Sequence, residues 1–174
     1  MRLFYFDASA LAKGYIQEKG SAIVERILES TSEQQWRVLM IGLLETISIF
    51  VRKKNSKVIS QTIFQSALRI FKKDFLDNLR VFKVEATNDL CIKAAPLIQQ
   101  HSINATDALV LHSTRGLAAS EIDDGNELIL VSADQRLVTA AKTEGLQVIN
   151  PETATLAEIE KLLQADSPTQ SNAE

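Results

Sequence analysis

Cysteine occurs once, at Cys91, and histidine twice, at His101 and His112. A single thiol leaves no internal disulfide. These three residues also cannot build a zinc site from several thiolates and imidazoles. Long apolar runs are missing as well: none approaches the roughly 20 residues that a membrane-spanning helix needs. The N-terminus lacks the basic, apolar and small-residue succession of a secretory signal, so a cytoplasmic location is the expectation. Excess positive charge is absent too. The net charge is -3, whereas a protein that grips long nucleic acids without selectivity is usually basic. Any nucleic-acid contact should therefore be local and selective.

What is present is an ordinary globular composition, 45% apolar and 24% charged. Its 174 residues fit one domain with a real core. No internal repeat is visible. Strand-like segments run over 3–6, 37–41, 81–84, 128–131 and 146–149. Helical patterns lie between them, over 9–15, from 20 onward, and over 43–53, 60–77, 88–100, 105–114, 135–143 and 156–163. Pro96 should kink its helix or start a new turn. Strands alternating with helices imply an α/β fold with a parallel sheet covered on both faces. The expected organisation is a domain over 1–151, a C-terminal helix over 152–165 and a flexible tail over 166–174. In such sheets the functional cleft lies beyond the carboxyl ends of the strands.

Carboxylates stand at those ends. Asp7 closes the first strand, in Leu3-Phe4-Tyr5-Phe6-Asp7, and is the only charge between Arg2 and Lys13. Glu45 is the only charge from Val38 to Val51, and Asp107 the only formal charge between Lys93 and Arg115. Asp134 follows Ile129-Leu130-Val131 closely. A buried carboxylate without a partner is costly. Two such charges 4 Å apart repel by about 4 kcal/mol at an effective dielectric of 20. Four together need protons, basic residues from elsewhere, or a shared hard cation such as Mg²⁺ or Mn²⁺. Ordinary structural readings stand beside this one. Asp7 suits a helix N-cap, and Asp107 a first-turn acid after Asn104. Asp134 suits a dipole position, since Ser132 and Gln135 already have capping-box spacing.

These segments resemble the PIN-domain ribonucleases, most closely the VapC-type toxins of toxin–antitoxin pairs, over nearly the whole chain from Leu3 to about Pro151. Phe6-Asp7-Ala8-Ser9-Ala10-Leu11, with Tyr15 and Gly20-Ser21, is similar to the family's first motif. Leu44-Glu45-Thr46 with Arg52 is similar to the second, and Thr106-Asp107-Ala108-Leu109 to the third. Val131-Ser132-Ala133-Asp134-Gln135-Arg136-Leu137, then Ala140-Ala141 and Gly145-Leu146, is similar to the fourth. The resemblance implies a three-layer α/β/α sandwich with a central parallel sheet. It implies that Asp7, Glu45, Asp107 and Asp134 are catalytic and hold Mg²⁺ or Mn²⁺, supported by Ser9 and Ser132. The implied activity is endonucleolytic RNA cleavage leaving 5′-phosphate and 3′-hydroxyl ends. The implied partners are an RNA substrate, a VapB-like antitoxin and a second copy in a homodimer.

Other residues have competing readings. Arg52, on the Glu45 face of its helix, suits a substrate phosphate or an ordinary surface charge. Arg52-Lys53-Lys54 with Lys57, and Arg69 with Lys72-Lys73, read as a phosphate-binding rim or as solvated helix faces. Trp36 reads as packing more than as a base-stacking platform, His112 as a core or rim residue, and Cys91 as a small buried hydrophobe. The loop Glu121-Ile122-Asp123-Asp124-Gly125-Asn126 is acidic enough to repel RNA nearby. A phosphatase of the haloacid-dehalogenase type is disfavoured, because its second aspartate would fall at Ser9. A receiver module lacks its late-strand lysine. The alternative to a nuclease is a catalytically silent PIN-like module that binds RNA or protein.

Overall fold

Apolar residues on both sides of every central strand decide the layering. On β1 (Arg2–Phe6), Phe4 and Phe6 point to one face and Leu3 and Tyr5 to the other, all essentially buried. β2 (Trp36–Leu39) and β4 (Glu127–Val131) divide their side chains in the same way. Strands buried on both faces read as continuous apolar runs, as parallel sheets require. With β3 (Phe82–Val84) and β5 (Gln147–Ile149) they form a five-stranded sheet in the order β3-β2-β1-β4-β5, parallel throughout. The computed structural model describes residues 1–164. The tail expected from residue 166 lies outside the described residues.

Helices cover both faces, so the architecture is the expected α/β/α sandwich. On one side lie α1 (Ala8–Leu11), α2 (Ser21–Ser30), α3 (Met40–Asn55), α4 (Gln61–Phe71) and α8 (Leu156–Gln164). On the other lie α5 (Asn88–His101), α6 (Ala105–Asp123) and α7 (Gln135–Thr143). The first layer is rich in rings: Phe75 stacks on Trp36 with centroids 5.1 Å apart, and Phe71 and Tyr15 meet edge to face at 5.4 Å. Trp36 is therefore a core residue, only 7% exposed.

Several expectations need correction. The second strand ends at Leu39 rather than Ile41, because Met40 already opens α3 directly after the last strand pair. α6 continues nine residues beyond the expected end at Thr114, to Asp123. α5 runs through Pro96 without a break; the carbonyl that loses its partner is that of Ile92, a residue exposed to solvent. Cys91 is exposed, since α5 turns Leu90, Ala94 and Leu97 to the core and Cys91 lies off that face. The acidic stretch from Glu121 ends α6 and enters the N-terminal edge of β4. Glu121 there binds Arg37 at 3.3 Å. That edge is opposite the strand ends, so these charges do not face the cleft.

Chain order reverses between β1 and β4: β1 is followed outward by β2 and β3, and β4 by β5. The register Phe6–Val131 makes the two central strands end together. A crevice at the carboxyl edge of such a switch point is where open α/β sheets place ligands.

Candidate active site

That crevice is a pocket of about 150 Å³ lined by Asp7, Ala8, Ser9, Glu45, Ile49, Arg52, Asn104, Asp107 and Asp134. All four sequence-selected carboxylates reach it, and Arg52 joins them. Each is placed by a strand end or a helix start. Asp7 follows β1 and caps α1, its carboxylate accepting from the Ser9 backbone N–H at 3.1 Å. Glu45 sits in the second turn of α3, which starts without a loop after β2. Asn104 caps α6 by accepting the Asp107 N–H at 2.8 Å, which fixes Asp107 in the first turn. Asp134 is the N-cap of α7, its Oδ1 accepting the N–H groups of Arg136 at 2.8 Å and Leu137 at 3.1 Å.

The last contact corrects the capping reading of Ser132. Ser132 does not cap α7, because its hydroxyl is used elsewhere: it donates to Asp7 Oδ2 at 3.2 Å and accepts the Asp134 N–H at 3.1 Å. Ser9 mirrors it. The Ser9 hydroxyl donates to Asp7 Oδ2 at 2.5 Å and accepts the N–H groups of Ala133 at 2.9 Å and Asp134 at 3.2 Å. The two serines thus tie the turn after β1 to the turn after β4.

Burial and mutual repulsion act on the acids together. Asp7 is 5% exposed and Asp107 6% exposed. Burial raises the Asp7 pKa above the usual carboxylate range, against the lowering effect of its bonds from Ser9 and Ser132. Burial, then the charges of Asp7 and Asp134, push Asp107 up to about 7. Glu45 is raised by burial and by Asp7, while the Thr106 hydroxyl and Arg52 pull it down. Asp107 Oδ2 is buried without a hydrogen-bond partner.

Among the described residues, no three His, Cys, Asp or Glu side chains converge as a ready-made metal cage. The donor set nevertheless fits a hard cation. Among the described residues, the buried Asp107 Oδ2 has no hydrogen-bond donor, which leaves it open to a cation. Mg²⁺ commonly takes only one or two protein carboxylates and completes its shell with water and phosphate. Asp7 and Asp107 are the most buried donors, with Glu45 and Asp134 at the rim of the same pocket.

Sequence reasoning passed over Thr106 as a partner of Glu45 and Asn104 as a pocket wall. Their signal was positional only: both flank Asp107 in Asn104-Ala105-Thr106-Asp107.

No family model matches the sequence, and no curated protein matches it. Solved structures do match the fold. A structure of PAE2754 from Pyrobaculum aerophilum is 16% identical, with 94% of this chain and 93% of that chain covered and a TM-score of 0.56. VapC20 of Mycobacterium tuberculosis, described as a Sarcin-Ricin loop cleaving toxin, is 17% identical, with coverage of 79% and 94% and a TM-score of 0.57. A toxin–antitoxin complex from Klebsiella pneumoniae is 16% identical, with coverage of 84% and 96% and a TM-score of 0.51. The chain has the PIN-domain fold. The pocket lies at the carboxyl end of the sheet, where the segments around Asp7, Glu45, Asp107 and Asp134 meet. Among the described residues, no helix is long and apolar enough to cross a membrane.

Proposed function

We propose that this PIN-domain protein is a metal-dependent endoribonuclease, acting in the cytoplasm as the toxin of a toxin–antitoxin pair. The observation that carries the nuclease reading is the pocket itself, where four carboxylates share one crevice and Asp107 Oδ2 is buried without a hydrogen-bond partner. The toxin role is supported by the fold shared with VapC20 and with the Klebsiella toxin–antitoxin complex. A VapB-like antitoxin and a second copy of the chain are the partners this reading calls for.

When bound, Mg²⁺ or Mn²⁺ supplies a water of lowered pKa and neutralises charge on the phosphodiester. Asp7 and Asp107 are the residues to hold it, with Glu45 and Asp134 as further ligands or as acceptors for its waters. Ser9 and Ser132 fix the Asp7 carboxylate, so that its remaining oxygen keeps one orientation. A carboxylate at the rim is placed to accept the proton of the attacking water. Arg52, exposed at the pocket mouth, offers a cation to a substrate phosphate.

A mixed set of structured RNAs incubated with wild type and with Asp7→Asn, each with Mg²⁺, Mn²⁺ or EDTA, tests this reading. Metal-dependent cleavage by the wild type alone is expected. A second reading is a PIN-like binding module that cuts nothing, since among the described residues no three donors form a preformed cage. RNA binding without cleavage, together with no metal uptake in a titration, selects that reading.

A further inference from the structure

A pocket walled by four carboxylates still has to admit an anionic phosphodiester, so its hydrogen-bond donors matter as much as its acids. Few of its walls can donate. Ala8 and Ile49 have no polar side chain, and the Ser9 hydroxyl already donates to Asp7 Oδ2. Arg52 and Asn104 are left. Arg52 brings a charge on a long, exposed side chain. Asn104 brings a neutral amide whose position is fixed.

The fixing comes from the cap of α6. Asn104 Oδ1 accepts the Asp107 N–H at 2.8 Å. A backbone N–H needs an acceptor, so the capping atom is the amide oxygen and the nitrogen takes the other side. Asn104 is exposed at the pocket wall. Among the described residues, its Nδ2 has no hydrogen-bond partner. Capping does not account for that nitrogen. Serine and aspartate cap helices about as well as asparagine, and neither carries an N–H donor. An amide nitrogen is a donor only, so it holds no metal ion.

We propose that Asn104 Nδ2 is a substrate contact, donating to a non-bridging oxygen of the phosphate that enters the carboxylate pocket. This rests on the nuclease reading above and adds a neutral donor to Arg52. The cap holds the amide before the substrate arrives, so little side-chain freedom remains to be lost on contact. A contact to the backbone positions the strand without reading its sequence.

The test is steady-state cleavage of the RNAs cut by the wild type, with Mg²⁺, between about 50 and 200 mM KCl. It compares wild type, Asn104→Ser, Asn104→Asp and Arg52→Gln. Thermal melts and Mg²⁺ titration by calorimetry accompany each variant. Both substitutions at 104 should melt with the wild type, because all three residues cap. Asn104→Ser should lower kcat/KM by about 10–100-fold, the size of a lost hydrogen bond to a charged group. Asn104→Asp should lower it further, since a fifth carboxylate then faces the phosphate. The slope of log kcat/KM against log salt should not change in Asn104→Ser, because a neutral donor releases no counterion. Arg52→Gln should lower that slope by about 0.7. The loss in Asn104→Ser should be the same on every RNA, with Mg²⁺ affinity unchanged.

A residue that only caps predicts equal cleavage by all three forms at 104. That result overturns the contact and leaves the nuclease standing. A loss confined to RNAs with one base at the cut overturns the phosphate assignment in favour of a base contact. Weakened Mg²⁺ uptake in Asn104→Ser that matches its loss of cleavage overturns it in favour of a metal-positioning role through Asp107. If the wild type cuts no RNA, anisotropy of a labelled single-stranded RNA decides. Weaker binding by Asn104→Ser at an unchanged salt slope supports the donor on a silent module. Equal binding, or none by any form, overturns it together with the nuclease reading.

Discussion

The Ser132 hydroxyl donates to Asp7 Oδ2 at 3.2 Å, joining residues 125 apart in sequence across the ends of β1 and β4. The same hydroxyl accepts the Asp134 N–H, so one buried serine orients one acid and positions another. Ser9 makes the matching set of bonds from the other strand. Two acids at the switch point are therefore mechanically coupled before any ligand arrives.

Ser132→Ala should weaken that coupling without emptying the pocket of charge. Support groups behind a metal ligand typically contribute 10–100-fold in affinity or activity. A loss in that range, with a destabilisation of about 1–2 kcal/mol from the lost hydrogen bond, is expected, while Asp7 Oδ2 keeps its two bonds from Ser9. Metal titration by calorimetry and urea unfolding measure the two effects. Ser9→Ala should cost more than Ser132→Ala, since Ser9 also satisfies the Ala133 N–H.

Asp7→Asn should abolish metal-dependent cleavage and leave the metal-free protein folded. Burial raises the Asp7 pKa, so its charge opposes folding and a neutral amide removes that opposition. Circular dichroism should show an unchanged fold, and a metal-free melt above neutral pH should be no lower than that of the wild type. Cleavage retained at wild-type level in EDTA would contradict the assignment.

Much of this was legible because parallel α/β architecture writes itself as alternating periods. The apolar runs ending at Phe6 and Val131 marked the central strands, and lone carboxylates after them marked the cleft. Boundaries were less legible where one residue type serves two elements. Met40 and Ile41 are apolar in either a strand or a helix, and only the pairing of Leu39 with Val84 decides where β2 stops. The extent of α6 was hidden by the acidic run from Glu121, which looks like a loop but is held by Arg37. Competition for hydroxyls was invisible too. Ser132 and Gln135 have capping-box spacing, yet Asp7, distant in sequence, takes the Ser132 proton.

Asp134 has two duties that substitution separates. Its Oδ1 caps α7 through two N–H groups, and its carboxylate also lines the pocket. Asparagine caps helices about as well as aspartate, whereas alanine costs about 0.5–2 kcal/mol. Asp134→Asn should therefore keep wild-type stability and lose most cleavage. Asp134→Ala should lose both, which parallel urea unfolding and cleavage rates distinguish.

Asp107 sets the pH dependence of the metal-free protein. Its folded pKa, near 7, lies above the ordinary value of 3.8. The folded state therefore holds this proton more tightly than the unfolded chain does. The stability this gives is complete below the ordinary value and is lost as pH rises through about 7. Asp7 and Glu45 are raised in the same direction and add to the trend. Metal-free wild type should melt at a higher temperature at about pH 5 than at about pH 8, as far as these groups are concerned. Asp107→Asn should flatten that difference, gaining relative to wild type at the higher pH and matching it at the lower. Mg²⁺ should also flatten it for the wild type, by supplying the positive charge that Asp107 Oδ2 lacks. Melting curves at both pH values, with EDTA and with Mg²⁺, test the whole chain of reasoning. A metal-free Asp107→Asn protein as pH-sensitive as the wild type would assign the buried charge penalty to another group.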